Sequence, residues 1–131
     1  MNTIQQVVEF HKAYGHPIEE EPIIKTADMK ALWLRLDLLK EELEELDIAI
    51  NERDTIEVLD ALCDLQYVLD GAKLALGFHK VFDAAFAEVH RSNMSKLGED
   101  GRPIYREDGK VMKGPNYSPP NLESILYAKS K

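Results

Sequence analysis

A chain of 131 residues, 44% of them apolar, can bury one compact core and is too apolar for wholesale disorder. Its formal net charge of −8 excludes a nucleic-acid backbone or an anionic membrane as the main partner, because both need a basic face. The one cysteine, Cys63, excludes an intrachain disulfide and fits a reduced, cytoplasmic setting.

The opening Met1-Asn2-Thr3-Ile4-Gln5-Gln6 lacks the basic start and apolar run of a signal peptide, and no stretch approaches the ~18 apolar residues of a membrane span. Ile4, Val7, Val8, Phe10 and Ala13 give residues 2–14 a weak helical pattern that Gly15-His16-Pro17 ends. A polar loop with Pro17 and Pro22 follows over 16–27. A long helix is expected over 28–52, where Leu32, Leu36, Leu39, Leu43, Leu46 and Ile50 recur at alternating steps of four and three, a coiled-coil-like seam. Residues 51–54 break it, with Asp54 or Thr55 available as the next N-cap.

The third helix should cover 55–76 on a stripe of Val58, Leu62, Leu65, Leu69 and Ala72, with Gly77 as its C-cap. A fourth covers 81–96 on Val81, Phe82, Ala85, Phe86 and Val89. Trp33 and Cys63 read as packing residues, and Arg35 as the partner of a nearby acid. Residues 98–120 turn rich in Gly, Pro, Asp and Lys. Within them, 104–107 and 110–113 flank Asp108-Gly109, the signal for a two-residue hairpin. Asn121 caps a short last helix through about Tyr127. The fold class is all-α, one domain over 1–131, with core helices in 1–97 and a tail over 98–131.

The chemistry sits in the carboxylates. Glu41-Glu42-Leu43-Glu44-Glu45 has the look of a solvated face, but at about 100° per residue Glu42 shares the side of Leu38 and Ala49. Glu45 lies one turn further, whereas Glu44 points to solvent. Glu42 and Glu45 thus edge the core, where an unpaired charge is costly. On the next helix Glu57, Asp60 and Asp64 share an arc of about 60°, bordered by Ala61 and Val68 on one side and by Ile56, Cys63 and Tyr67 on the other. Like charges that close repel unless something neutralises them. A short connection makes the two helices antiparallel neighbours, so Glu42 and Glu45 can face Asp60 and Asp64. All-oxygen ligands suit Mg²⁺, with Mn²⁺ as a substitute. A di-iron bundle would want Glu-x-x-His, and none of His11, His16, His79 or His90 follows a Glu at that spacing. One cysteine and scattered histidines also count against a zinc site.

At this point the chain resembles the MazG-like all-α nucleotide pyrophosphohydrolases, a superfamily that includes dUTP/dCTP pyrophosphatases and phosphoribosyl-ATP pyrophosphohydrolase. Its first motif, Glu-Glu-x-x-Glu, stands here as Glu41-Glu42-Leu43-Glu44-Glu45. Asp64-Leu65-Gln66-Tyr67-Val68 takes the place of the Asp that leads an apolar-aromatic run in the second. Phe10-His11, the run Phe86-Ala87-Glu88-Val89-His90-Arg91-Ser92-Asn93-Met94-Ser95-Lys96, and the tail with Lys110, Lys113, Tyr117 and Pro119 are similar to a subgroup's signatures. One departure stands out. The family's Glu three residues before its Asp falls on Ala61, so either Asp60 with Asp64 forms the pair or Glu57-Val58-Leu59-Asp60 does, one turn early; Asp60 with Asp64 keeps the aromatic context.

The resemblance implies a four-helix MazG-like bundle that cleaves the α–β anhydride of a nucleoside triphosphate, a dNTP by preference, with Mg²⁺ on Glu42, Glu45, Asp60 and Asp64 and Glu57 in reserve. Glu41 is the candidate general base or a solvated residue. Asn93, Lys96 and Arg91 are candidate phosphate or base contacts, their plain alternative a charged helix end. Lys113 on the hairpin, Tyr67 as a stacking ring and His11 complete the substrate set, with a surface position as the default for His11. A single bundle leaves its seam partly uncovered, so a homodimer or dimer of dimers is expected. The competing reading is a non-catalytic helical interaction module.

Overall fold

A computed structural model describes residues 1–127, so the last four residues of the expected tail lie outside the described residues. The chain is all-α, with five helices and one small hairpin among the described residues, and it separates into two compact units, Met1–Lys80 and Val81–Lys131. None of the described helices is long and apolar enough to cross a membrane.

In the first unit each helix begins where a polar side chain can take an orphan N–H. α1 (Thr3–Tyr14) starts with a capping box: Asn2 Oδ1 accepts from Gln5 N–H at 2.9 Å, and Gln5 Oε1 accepts from Asn2 N–H at 2.9 Å. α2 (Met29–Asn51) is capped by Asp28, whose carboxylate accepts from Lys30 N–H. Of the two candidate caps for α3 (Thr55–Leu76), Asp54 is the one used, accepting from Glu57 N–H at 3.1 Å. Only residues 52–54 join α2 to α3, which makes the two an antiparallel hairpin, and α1 packs on α3.

The loop after α1 is stitched to the end of α3. Glu19 N–H donates to Leu74 O at 2.8 Å and Ile23 N–H to Leu76 O at 3.1 Å. Gly77 sits beneath that loop at φ +84°, where an added Cβ would stand 2.0 Å from Glu21 O. Left-handed backbone costs a side chain about 1–2 kcal/mol, and the overlap is with backbone that cannot swing aside. Gly77→Ala is therefore expected to destabilise the protein by about 3 kcal/mol or more, read from denaturant unfolding.

The core is built from small residues, and this corrects the expected seam. Val7, Ala49, Ala61, Ala72, Leu74 and Ala75 are buried. Along α2 the inward series is Arg35, Glu42 and Ala49, seven apart, whereas Leu36, Leu43 and Ile50, one position on, are exposed, Leu43 by 58%. On α3 the inward series is Ala61, Asp64, Val68, Gly71 and Ala75, and the expected Leu62 and Leu69 are exposed. Part of each expected stripe thus lies on the outer side of the hairpin, while Leu32, Leu39 and Leu46 on α2 and Val58 and Leu65 on α3 are half-buried. Trp33 and Cys63, expected to pack, are exposed for the same reason. Asp70 is fully buried, and although burial pushes its carboxyl up, hydrogen bonds from Lys73 (Nζ 2.9 Å from Oδ1), Thr3 and Gln66 outweigh that and hold it low.

In the second unit α4 (Phe82–Met94) ends two residues earlier than expected, where Ser95 Oγ donates to Ser92 O and accepts from Ser118 N–H. β1 (Ile104–Tyr105) pairs antiparallel with β2 (Val111–Met112), Ile104 opposite Met112 and Tyr105 opposite Val111. Arg106 N–H closes the ladder on Lys110 O, so the loop is 107–109 and not the two-residue Asp108-Gly109 turn. Gly109 at φ +89° supplies the left-handed position of a three-residue loop. Asn121 caps α5 (Leu122–Tyr127) through Ser124 N–H.

Candidate metal centre

Glu42 and Glu45 share a face of α2 because they are three residues apart, and the antiparallel return of α3 brings Asp64 opposite them. Each offers one carboxylate oxygen, and those oxygens all lie within 4.8 Å of one another. None of the three forms an ion pair among the described residues. Glu42 is half-buried, and its Oε2 is sealed from solvent with no hydrogen-bond partner.

Burial, then the charges of Glu45 and Asp64, a side-chain hydrogen bond with Glu45 and the Glu41 charge, push the Glu42 carboxyl above the usual carboxylate range. Asp64 is raised too, first by burial and then by Asp60 and Glu45. A sealed, orphaned carboxylate oxygen amid like charges is an unfavourable arrangement for a bare fold. Three oxygen donors without nitrogen or sulfur match a hard divalent cation, which would relieve burial and repulsion together.

The structure brings together three of the expected ligands. Asp60 and Glu57 are exposed and lie outside the group, though the Asp60 charge reaches Asp64. Glu57 stands in the first turn of α3, where Asp54 caps its N–H. Glu41 is exposed beside Glu42 and adds to the charge that Glu42 feels. Tyr67 is part-exposed, its ring edge-on to Phe10 with centroids 5.4 Å apart.

His11 is not a surface histidine. It is 3% exposed, and its Nδ1 lies 2.9 Å from Pro17 O, tying α1 to the loop that follows. Burial, chiefly, with the Arg35 charge in support, lowers its pKa and favours the neutral ring. The sequence pattern pairs Arg35 with an acid, but in the structure Arg35 is buried and makes no ion pair or hydrogen bond among the described residues. Its spacing of seven from Glu42 is the signal that would have placed it inward.

The remaining candidates belong to the second unit. Arg91 is occupied: its Nε and Nη2 donate to Glu88 at 2.7 and 2.9 Å, and Nη2 also reaches Pro119 O. The Arg91 guanidinium and the Asn121 N–H hold Glu88 down at about 2. Asn93 is exposed near the end of α4, and Lys96 follows it, its N–H on Asn93 O. Lys113 Nζ sits 4.7 Å from the centre of the Tyr117 ring.

Comparison with known proteins places this geometry in context. The family profile for phosphoribosyl-ATP pyrophosphohydrolase matches residues 7–93, well over half of the chain and the whole α2–α3 hairpin. An uncharacterised protein of Acanthamoeba polyphaga mimivirus is 32% identical over 111 residues, 83% of this chain and 41% of that protein, so the chain spans about two fifths of that curated relative's length. A crystal structure of a candidate NTP pyrophosphohydrolase from Exiguobacterium sp. 255-15 is 25% identical, covering 99% of this chain and 96% of that one, at a TM-score of 0.34.

Proposed function

The chain belongs to the phosphoribosyl-ATP pyrophosphohydrolase family of the MazG-like all-α superfamily, and from that premise we propose that it is a Mg²⁺-dependent nucleoside triphosphate pyrophosphohydrolase. It cleaves the α–β phosphoanhydride bond to give a nucleoside monophosphate and pyrophosphate, and its substrate is a dNTP. Residues 1–131 act as one functional domain, in the cytoplasm.

The observation that carries this reading is the Glu42/Glu45/Asp64 group with its sealed Glu42 oxygen. These three residues would hold the metal, with Asp60 next to Asp64 as a further ligand and Glu57 as the reserve one turn away. A Mg²⁺ held by these residues would offset phosphate charge and position or activate water. Glu41, exposed beside the group, accepts the proton of the attacking water. By resemblance, Asn93, Lys96 and Lys113, all in the second unit, are the candidate phosphate or base contacts. Tyr67 stacks on the base. Arg91, already held by Glu88, is the weaker contact, and the sealed His11 shapes the Pro17 loop instead of touching substrate.

The outer side of the hairpin supports a homodimer or dimer of dimers. Leu36, Leu43 and Ile50 on α2 and Ile56, Leu59 and Leu62 on α3 are all exposed, Ile56 by 76%. Apolar surface of this kind is what a second copy covers. Leu43→Glu is expected to turn the oligomer into monomer at micromolar concentration by light scattering; a wild-type monomer contradicts this part of the proposal.

The reaction is tested by pyrophosphate release from a panel of dNTPs and NTPs with Mg²⁺ or Mn²⁺, against EDTA. Metal-dependent release with one nucleotide preferred is the expected outcome. Metal binding without release from any of them redirects the assignment to another anhydride, such as phosphoribosyl-ATP. Neither release nor metal binding leaves the interaction module.

A further inference from the structure

The α2–α3 hairpin carries a second polar level. Glu42 faces Asp64 across it; seven residues back on α2 stands Arg35, and seven residues on along α3 stands Gly71. A Cβ built on Gly71 would lie 3.7 Å from Arg35 Nη1 and 3.2 Å from His11 Nε2, so Arg35 and Gly71 do meet. Seven residues of helix put this level about 10 Å along the axis from the carboxylates.

Arg35 is an anomaly there. It is 6% exposed, in a chain with 24 acidic residues against 16 Lys and Arg, yet no carboxylate meets it among the described residues. None of its nitrogens belongs to the buried atoms that lack a partner, so the small exposed fraction is at the guanidinium itself. The neighbouring His11 offers no charge, because its Nδ1 is committed to Pro17 O and its ring is sealed. A guanidinium is donor-only, and here its stem is buried while its donors, at the exposed tip, meet no acceptor among the described residues. What the site lacks is an oxygen acceptor.

We propose that Arg35 is a substrate-binding residue that donates to an oxygen of the nucleotide, one level along the hairpin from the carboxylates. This rests on the pyrophosphohydrolase reading and adds a recognition point to it. With the reacting phosphates at the carboxylate group, either a terminal phosphate or an oxygen of the sugar or base lies at the level of Arg35. Gly71 borders the site: a Cβ there would be in ordinary contact with the guanidinium at 3.7 Å and would crowd His11 Nε2 at 3.2 Å. A buried stem with its head at a small opening is also preorganised, which favours discrimination over mere attraction.

The test is calorimetry on the Mn²⁺-loaded protein with two probes: inorganic pyrophosphate, and nucleoside monophosphates bearing keto or amino bases. Arg35→Met keeps the apolar stem and removes the donors. The expected result is a loss of about 10–100-fold in affinity for at least one probe, the range of hydrogen bonds from a charged donor, with Mn²⁺ affinity unchanged. Loss confined to pyrophosphate identifies a phosphate oxygen; loss confined to the monophosphates identifies the sugar or base. Arg35→Lys keeps the charge but not the guanidinium fork and should weaken the same probe, which covers the case in which Arg35→Met fails to fold. Unchanged affinities for both probes in a folded variant overturn the Arg35 inference alone. A wild-type protein that binds neither probe overturns the pyrophosphohydrolase reading with it.

Discussion

Asp64→Asn lowers kcat/KM for metal-dependent pyrophosphate release by about three orders of magnitude, equivalent to ~4 kcal/mol of barrier. Among the described residues Asp64 is what α3 contributes to the carboxylate group, so its loss leaves Glu42 and Glu45 facing only the exposed Asp60. The amide keeps the size and one acceptor oxygen but removes the charge, so the loss reads electrostatics more than packing. Asp60→Asn, at an exposed neighbour whose charge reaches Asp64, costs about tenfold, and Glu57→Gln less than threefold. The three variants are compared in a coupled pyrophosphate assay at saturating Mg²⁺. If Glu57→Gln abolishes turnover and Asp64→Asn does not, the active pair lies one turn earlier on α3.

The second large effect links stability to metal. Glu42 and Asp64 both have carboxyls raised above the ordinary value, so each holds its proton more tightly in the folded chain than in the unfolded one. Their contribution to stability is present below the ordinary carboxylate value, near pH 4, and is lost as pH rises through the raised folded value. In the metal-free protein, burial and mutual repulsion therefore make the charged forms of both groups unfavourable. Metal at a hundred times its Kd returns ~2.7 kcal/mol, or about 10 °C in Tm for a chain of this size. Glu42→Gln removes one of these carboxyls and one ligand together. Its metal-free Tm should rise by a few degrees at pH 7, and the shift on adding Mg²⁺ or Mn²⁺ should shrink to about 2 °C or less. Asp70, Glu88 and Asp108, held low, act in the opposite sense and lose their contribution as pH falls. The difference between wild type and Glu42→Gln across pH isolates the metal group from them. A Glu42→Gln protein with a lower metal-free Tm and an undiminished metal shift contradicts the assignment.

The helices are legible in the sequence because their punctuation is local. Asn2, Asp28 and Asp54 cap their own helices, and Gly15 and Gly77 end theirs. The carboxylate group is legible for a related reason: three- and four-residue spacing puts Glu42 and Glu45 on one face, and a three-residue connection returns α3 beside them. The phase of the hairpin is less so. Large leucines draw the eye to the Leu36–Leu43–Ile50 series, but the inward series one residue earlier is Arg35, Glu42 and Ala49, which is polar or small. Hydropathy cannot mark as interior a face reserved for charge. The same blindness hides Arg35, which lies beside Gly71 across the hairpin, and His11, whose Nδ1 meets the carbonyl of Pro17. At the Asp108-Gly109 turn the residue types are right for two loop geometries, and only the pairing of Ile104 with Met112 selects the longer one.

Anomalous diffraction from crystals grown with millimolar Mn²⁺ locates the metal without reference to activity. The account predicts density bounded by Glu42, Glu45 and Asp64, in contact with the Glu42 oxygen that is otherwise sealed and unpartnered. Density centred on Glu57, or at acids elsewhere with the three carboxylates empty, would contradict it.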